Sequence, residues 1–209
     1  MTLRYPLKIR LRGAFTGQLF QVYRKSPFLD KITATAGHCV YLNSNDLDQC
    51  YFVATGNFQC FFIKTEVAKN VHFEDEIWLQ QGTLSQYAAY DDPSFFYKSY
   101  LQGSRIAYGL KIRYKHLDAS AGHQEKSRVQ IKSTRYYSIA RNRTIFWYKF
   151  LYNTASNPFT RFGVSICGLY AFVNYTLYTI LINLQPKYWK ALSAMFKGYS
   201  DAYKVIQKM

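Results

Sequence analysis

The 209-residue chain reads as an α/β protein that ends in two helical segments, one apolar and one amphipathic. Three features carry that expectation. Around Gly103 the apolar pattern changes period. Phe95, Phe96, Tyr100 and Leu101 follow helical spacing, whereas Ile106, Tyr108, Leu110, Ile112, Tyr114 and His116 alternate with Arg105, Lys111, Arg113 and Lys115. The first spacing predicts a helix and the second a half-buried strand, interrupted at Gly109, with His116 as its last inward residue. Two short apolar runs, Cys39 to Leu42 and Tyr51 to Ala54, flank NSNDLDQ, whose Asn, Ser and Asp residues favour a turn. Finally, no charge lies between Arg161 and Lys187.

Residues 1 to 36 show no period. Thr55-Gly56-Asn57 follows a strand and precedes the apolar run Phe58 to Ile63, as a linking turn does. Asp92 stands before Pro93, which is favoured in a first helical turn because its missing N–H needs no partner there. Asp92 is therefore expected as the N-cap, its carboxylate accepting from the free amides at the positive end of the helix dipole. Gly103 suits the left-handed residue that closes the helix. After His116, LDASAGHQEKS reads as a polar loop, with His123 solvated in it. Tyr137, Ala140, Thr144, Trp147 or Tyr148, and Leu151 then recur at helical spacing and predict a buried stripe.

Phe162 to Ile182 has the roughly 20 residues needed to cross a hydrocarbon core. Ser165, Asn174, Thr176, Thr179 and two glycines dilute it, so the segment either crosses the bilayer or lies against the membrane or the domain. Beyond Pro186, Tyr188, Leu192, Met195 or Phe196, Tyr199 and Tyr203 form one face, with Lys190, Lys197, Lys204 and Lys208 elsewhere. Such a helix either rests on an anionic bilayer or docks on its own domain. The expected division is 1–155 for the α/β part and 156–209 for the membrane-associating helices.

Twenty-seven Lys and Arg against twelve Asp and Glu give a formal charge of +15, which calls for an anionic partner. The basic residues concentrate after Lys98, and acids concentrate between Glu66 and Asp92. A nucleic-acid partner is disfavoured: there is no helix-turn-helix, zinc-finger or RRM signature, and the basic residues accompany a strand with an inward histidine. Cysteines 39, 50, 60 and 167 show no CxxC spacing, so thiols in a reducing compartment are expected and a disulfide framework is not.

Taken as a set, Asp91-Asp92, the helix-borne Lys98, Gly103, Ile106, Tyr108 and His116 resemble the acceptor-side, C-terminal half of family-two glycosyltransferases of the GT-A fold. The resemblance covers roughly residues 50 to 150. It includes Gly56, then Ile63-Lys64-Thr65-Glu66-Val67 and Phe73-Glu74-Asp75-Glu76, with His72 where the family commonly has glycine. Tyr136-Tyr137 followed by Arg141-Asn142 is similar to a helix of rhamnosyltransferase-like members. The Asp46-Leu47-Asp48 triplet matches the family's metal motif in letters only, because it lies in a turn and too close to the acidic pair.

The resemblance implies an inverting transfer from a nucleotide-sugar donor to a glycan or lipid-linked acceptor in cell-surface polysaccharide synthesis, at the cytoplasmic face of a membrane. Asp92 would be the general base and Asp91 its neighbour. His116 would hold a divalent metal, Mn or Mg, or the diphosphate. Gly56 and Trp78 would shape the acceptor site, and Arg141 would face a substrate phosphate. The family's nucleotide-binding half does not fit within residues 1 to 50. A second polypeptide is therefore expected to supply it, or else the chain is a non-catalytic remnant or partner subunit.

Overall fold

The computed structural model describes residues 30–32, 34–40, 50–53, 61–79, 81–82, 89–109 and 128–209. Among these, helix predominates over a small sheet, and an apolar helix lies near the C-terminus. The sheet holds β1 (Asp30–Ile32), β2 (His38–Val40), β3 (Cys50–Val53) and β4 (Ile106–Gly109) in the order β2-β1-β3-β4. The β1/β2 and β3/β4 pairs are antiparallel and β1/β3 is parallel. Strands at 38–40, 50–53 and 106–109 agree with the alternating runs, while β1 falls in the stretch where no period could be read.

The first helix, α1 (Thr65–Val71), stops at His72, which takes a left-handed conformation with φ 47°. Histidine thus adopts the geometry that glycine supplies more easily, and the turn into the 3-10 helix Phe73–Leu79 is made without one. Helix α2 (Asp91–Leu101) buries Phe95 and Phe96 against Val71, with Val67 and Ile106 beside them. It ends as the sequence suggests, with Gly103 at φ 87° and its amide donating to the Tyr100 carbonyl at 3.0 Å.

Its start differs from expectation. Tyr90 occupies the cap position in a left-handed conformation, φ 71°, so Asp91 and Asp92 are the first two helical residues and Pro93 the third. Proline is tolerated there for the same reason as at the first helical position, because the amides of the whole first turn lack intrahelical acceptors.

The longest continuous helical unit is α3 (Arg128–Phe146), continued by a π-helical turn at Trp147–Tyr152. It is buried on more than the single stripe expected: Tyr137, Ser138, Ala140, Arg141, Asn142, Ile145, Phe146 and Phe150 are all inside, whereas Thr144, Trp147, Tyr148 and Leu151 are half-buried. One side of α3 meets Ile32, Ala36, Trp78 and Leu79. The other side meets α5 (Trp189–Ile206), whose Ala202 joins the same core, so the last helix shares its interior with residues preceding 155.

The docked face of α5 is a row of small residues, Ala191, Ala194, Gly198 and Ala202, together with Met195, rather than the aromatic face that its spacing suggests. Leu192 and Tyr199 are half-buried, and Phe196 and Tyr203 are exposed. At Gly198 an added Cβ would lie 2.5 Å from the Tyr137 carbonyl oxygen, a backbone atom that cannot swing aside. Gly198→Ala is therefore expected to destabilise the fold by about 1 kcal/mol or more, because overpacking costs of about 1–3 kcal/mol exceed alanine's helix-propensity gain of about 1. Urea unfolding that shows a stabilised variant would contradict the close helix crossing.

Helix α4 (Pro158–Leu181) starts at an Asn157 cap, whose side chain accepts from the Thr160 amide at 2.8 Å, with Pro158 in the first turn. It runs back along α3 and is tied to that unit near both ends. Trp147 Nε1 donates to the Val164 carbonyl at 3.3 Å. Near the far end, the buried Asn183 donates to the Tyr136 hydroxyl at 3.0 Å and accepts from Lys132 at 3.0 Å.

Candidate functional site: the acidic end of helix α2

The acidic pair sits on a helix terminus held from several sides. Tyr90, just before it, donates its hydroxyl to the Ala36 carbonyl at 2.6 Å and packs its ring on Phe146 at 5.4 Å. The Tyr90 carbonyl accepts from both the amide of Ser94, at 3.1 Å, and its hydroxyl, at 2.5 Å. A left-handed tyrosine is strained backbone, maintained here by contacts at both ends of the residue.

Three consecutive residues of α3 fix the surrounding chain. Arg141 Nη1 donates to the Trp78 carbonyl at 2.5 Å and to Asn142 Oδ1 at 2.8 Å. Asn142 Nδ2 donates to the carbonyls of Ala89, at 2.8 Å, and Leu79, at 3.3 Å. Arg143 donates from Nε and Nη2 to the Thr35 carbonyl at 3.1 and 2.8 Å. These bonds join the chain on both sides of residues 80–88 to one helix, which sets where Asp91 begins.

A second polar cluster lies beneath α2. The Glu76 side chain is fully buried and accepts from Lys149 Nζ at 2.9 Å on both oxygens, as well as from the Trp78 indole. Lys98 Nζ lies 3.5 Å from the same carboxylate and donates to Asp75 at 3.0 Å and to the His72 carbonyl at 2.9 Å. The hydrogen bond and charge of Lys98 hold the Asp75 carboxyl below its usual value. Lys98 thus clamps α2 to the turn at His72, a concrete role for the basic residue that the sequence comparison picked out.

Asp91 and Asp92 are both half-buried, and they are brought together in the first turn of α2. Burial pushes the Asp91 carboxyl above its ordinary value of 3.8, against the lowering effect of backbone hydrogen bonds at Asp91 and Asp92. Trp78 and Arg141 sit elsewhere than a substrate surface requires. Trp78 is 4% exposed and belongs to the core, and Arg141 is 2% exposed with Nη1 committed to the Trp78 carbonyl and Asn142. Burial pulls the Arg141 guanidinium's pKa down, offset in part by Tyr137 and Asp201. In this arrangement both residues support the acidic terminus from behind and do not face an opening.

Gly56, Asp46, Asp48, His116 and His123 lie outside the described residues. Among the described residues no three His, Cys, Asp or Glu side chains converge to hold a metal ion. The residues that sequence reasoning left without a role are Glu76, Tyr90, Asn142 and Arg143. Charged and amide side chains carry no apolar periodicity, and only the Arg-Asn-Arg run itself was a signal.

No protein-family model matches the chain, and comparison with curated proteins and with solved structures gives no match.

Proposed function

We propose that the chain is the acceptor-side part of a GT-A-type inverting glycosyltransferase, working at a membrane on a glycan or lipid-linked acceptor, with the donor a nucleotide sugar. The observation that carries this reading is the acidic pair at the start of α2, half-buried and held by a strained tyrosine and by Asn142. A sugar hydroxyl is a weak nucleophile at neutral pH, and a carboxylate within hydrogen-bond reach must take its proton as the glycosidic bond forms. Asp92 is the base in this proposal. Asp91, whose pKa is raised by burial, lies at its side. The nucleotide-binding strands are supplied by another segment or a second polypeptide.

Membrane association is supported by α4 and α5 together. Helix α4 is uncharged after Arg161, long and apolar enough to cross a bilayer, and little covered by the rest of the chain. Yet it lies along α3, which carries Lys132, Arg135, Arg141 and Arg143. A crossing would drag those charges into hydrocarbon at about 2.5–3.5 kcal/mol for each one at the centre. Resting in the plane of the membrane buries the same apolar face without that cost. On α5, exposed Trp189, Phe196 and Tyr203 recur every seven residues, each followed by an exposed lysine, Lys190, Lys197 and Lys204. That row of aromatics and cations suits an anionic lipid surface. The alternatives posed for this helix are compatible, since the small-residue face docks and the opposite face remains outward.

Asp91→Asn separates a functional pair from a mere helix cap. Because the folded-state pKa of Asp91 is raised, its ionised form opposes folding. Asparagine is therefore expected to raise the melting temperature at pH 7, with the gain disappearing as pH falls below about 3.8, while sugar transfer falls. Unchanged transfer in this variant would remove Asp91 from the site.

A further inference from the structure

Between α3, α4 and α5 lies a cavity of about 310 Å³, in the size range of small-ligand sites. Its walls are mostly rings and small residues: Trp147, Phe172, Tyr175, Tyr199, Gly168 and Ala171. At Gly168 the Trp147 indole packs directly on the α4 backbone, since an added Cβ would lie 2.5 Å from the ring. Leu169 and Phe172 line the cavity and are also 65% and 41% exposed, so its mouth opens on the uncovered apolar side of α4 rather than on a polar surface. The polar residues of the lining are Thr144, Ser165, Thr35 and Arg143, the last with Nε and Nη2 donating to the Thr35 carbonyl. The Tyr175 hydroxyl is buried with no hydrogen-bond partner, and the Arg143 guanidinium lies 5.9 Å from the centre of that ring.

An apolar chamber that opens toward hydrocarbon and carries a guanidinium in its wall matches an amphiphile of one kind. We propose that this cavity binds one hydrocarbon chain of an anionic membrane lipid, with the lipid phosphate at Arg143 and the Tyr175 hydroxyl donating to a lipid oxygen. A soluble apolar molecule would have no reason to enter from the side of α4, and a free phosphate would leave the ring-lined part unfilled. The inference rests on α4 lying against lipid and not on sugar transfer, so either can fail without the other.

The test is native mass spectrometry of the full chain, delipidated in detergent and then mixed with phosphatidylglycerol, with phosphatidylcholine of the same chains, or with inorganic phosphate. The wild type is expected to retain one phosphatidylglycerol at lipid concentrations at least about tenfold below those needed for phosphatidylcholine, and to retain no phosphate, the tenfold ratio being about 1.4 kcal/mol. Ser165→Phe, which fills the cavity from α4, should lose the bound lipid. Thr144→Leu fills it from α3 and should give the same loss if the first variant does not fold. Arg143→Gln should bind the two lipids alike. Equal retention of both lipids by the wild type, retention of phosphate alone, or undiminished phosphatidylglycerol binding in a filled variant with wild-type melting would each overturn the proposal.

Discussion

Asp92→Asn is expected to lower sugar transfer by about 10²- to 10⁴-fold, the range by which a positioned general base accelerates a reaction. Its melting temperature should stay close to that of the wild type. The physical argument is local. Asp92 is the second residue of α2, the helix is closed by backbone and serine bonds to the Tyr90 carbonyl, and its packing is made by Phe95 and Phe96 further along. Asparagine keeps the shape and the affinity for a helix N-terminus but cannot take a proton. The effect should fall on kcat/KM, because the base acts as the bond forms and not while the acceptor binds. Transfer within twofold of wild type at equal protein level would remove Asp92 from the base role.

The second large effect concerns stability. Glu76→Ala is expected to reduce the unfolding free energy by about 3 kcal/mol, the lower end of the roughly 3–5 kcal/mol seen when one member of a buried ion pair is deleted. The lower end applies because the two lysine side chains are not sealed: Lys98 is 16% and Lys149 30% exposed, so water can solvate part of the orphaned charge. The Trp78 indole N–H loses its acceptor as well. With about 2–4 °C per kcal/mol for a chain of this size, the melting temperature should drop by about 10 °C. Glu76→Gln keeps an acceptor for the indole but not the charge and should fall between alanine and wild type. A loss below about 1 kcal/mol in urea titrations for alanine would mean that the carboxylate is solvated and the cluster is not a core element.

The parts of the fold that sequence made visible are those in which apolar periodicity or a stereochemical demand speaks directly. The switch from helix to strand around Gly103 and the strands at 38–40 and 50–53 are of this kind. The start of α2 was misplaced by two positions because an Asp before a proline resembles a cap, and nothing in the letters Ala-Tyr announces a left-handed tyrosine. The docking face of α5 was hidden for a different reason. Alanine and glycine contribute little to an amphipathic pattern, yet they let two helix backbones approach closely, so the spacing showed only the face of Phe196 and Tyr203, which points outward, and not the small-residue face that docks.

The interior charges were the least visible. Arg141 and Glu76 sit on polar stretches that a periodicity argument places in solvent, yet both are buried, Arg141 with Nη1 bonded to the Trp78 carbonyl and Asn142, and Glu76 held by two lysines. The adjacency of Asp91 and Asp92 and the place of Lys98 on the helix were legible. The clamp geometry and the stapling of Ala89 by Asn142 depend on contacts across 23 and 53 positions in the chain, which no local pattern encodes.

The most direct measurement of the account follows labelled sugar. Membranes from cells that lack this chain, and the same membranes with it restored, are incubated with a radiolabelled nucleotide sugar, and the lipid-linked and glycan fractions are counted. The account predicts incorporation that appears only when the wild-type chain is restored. Equal incorporation with and without the chain, across the nucleotide sugars the cells make, would contradict it.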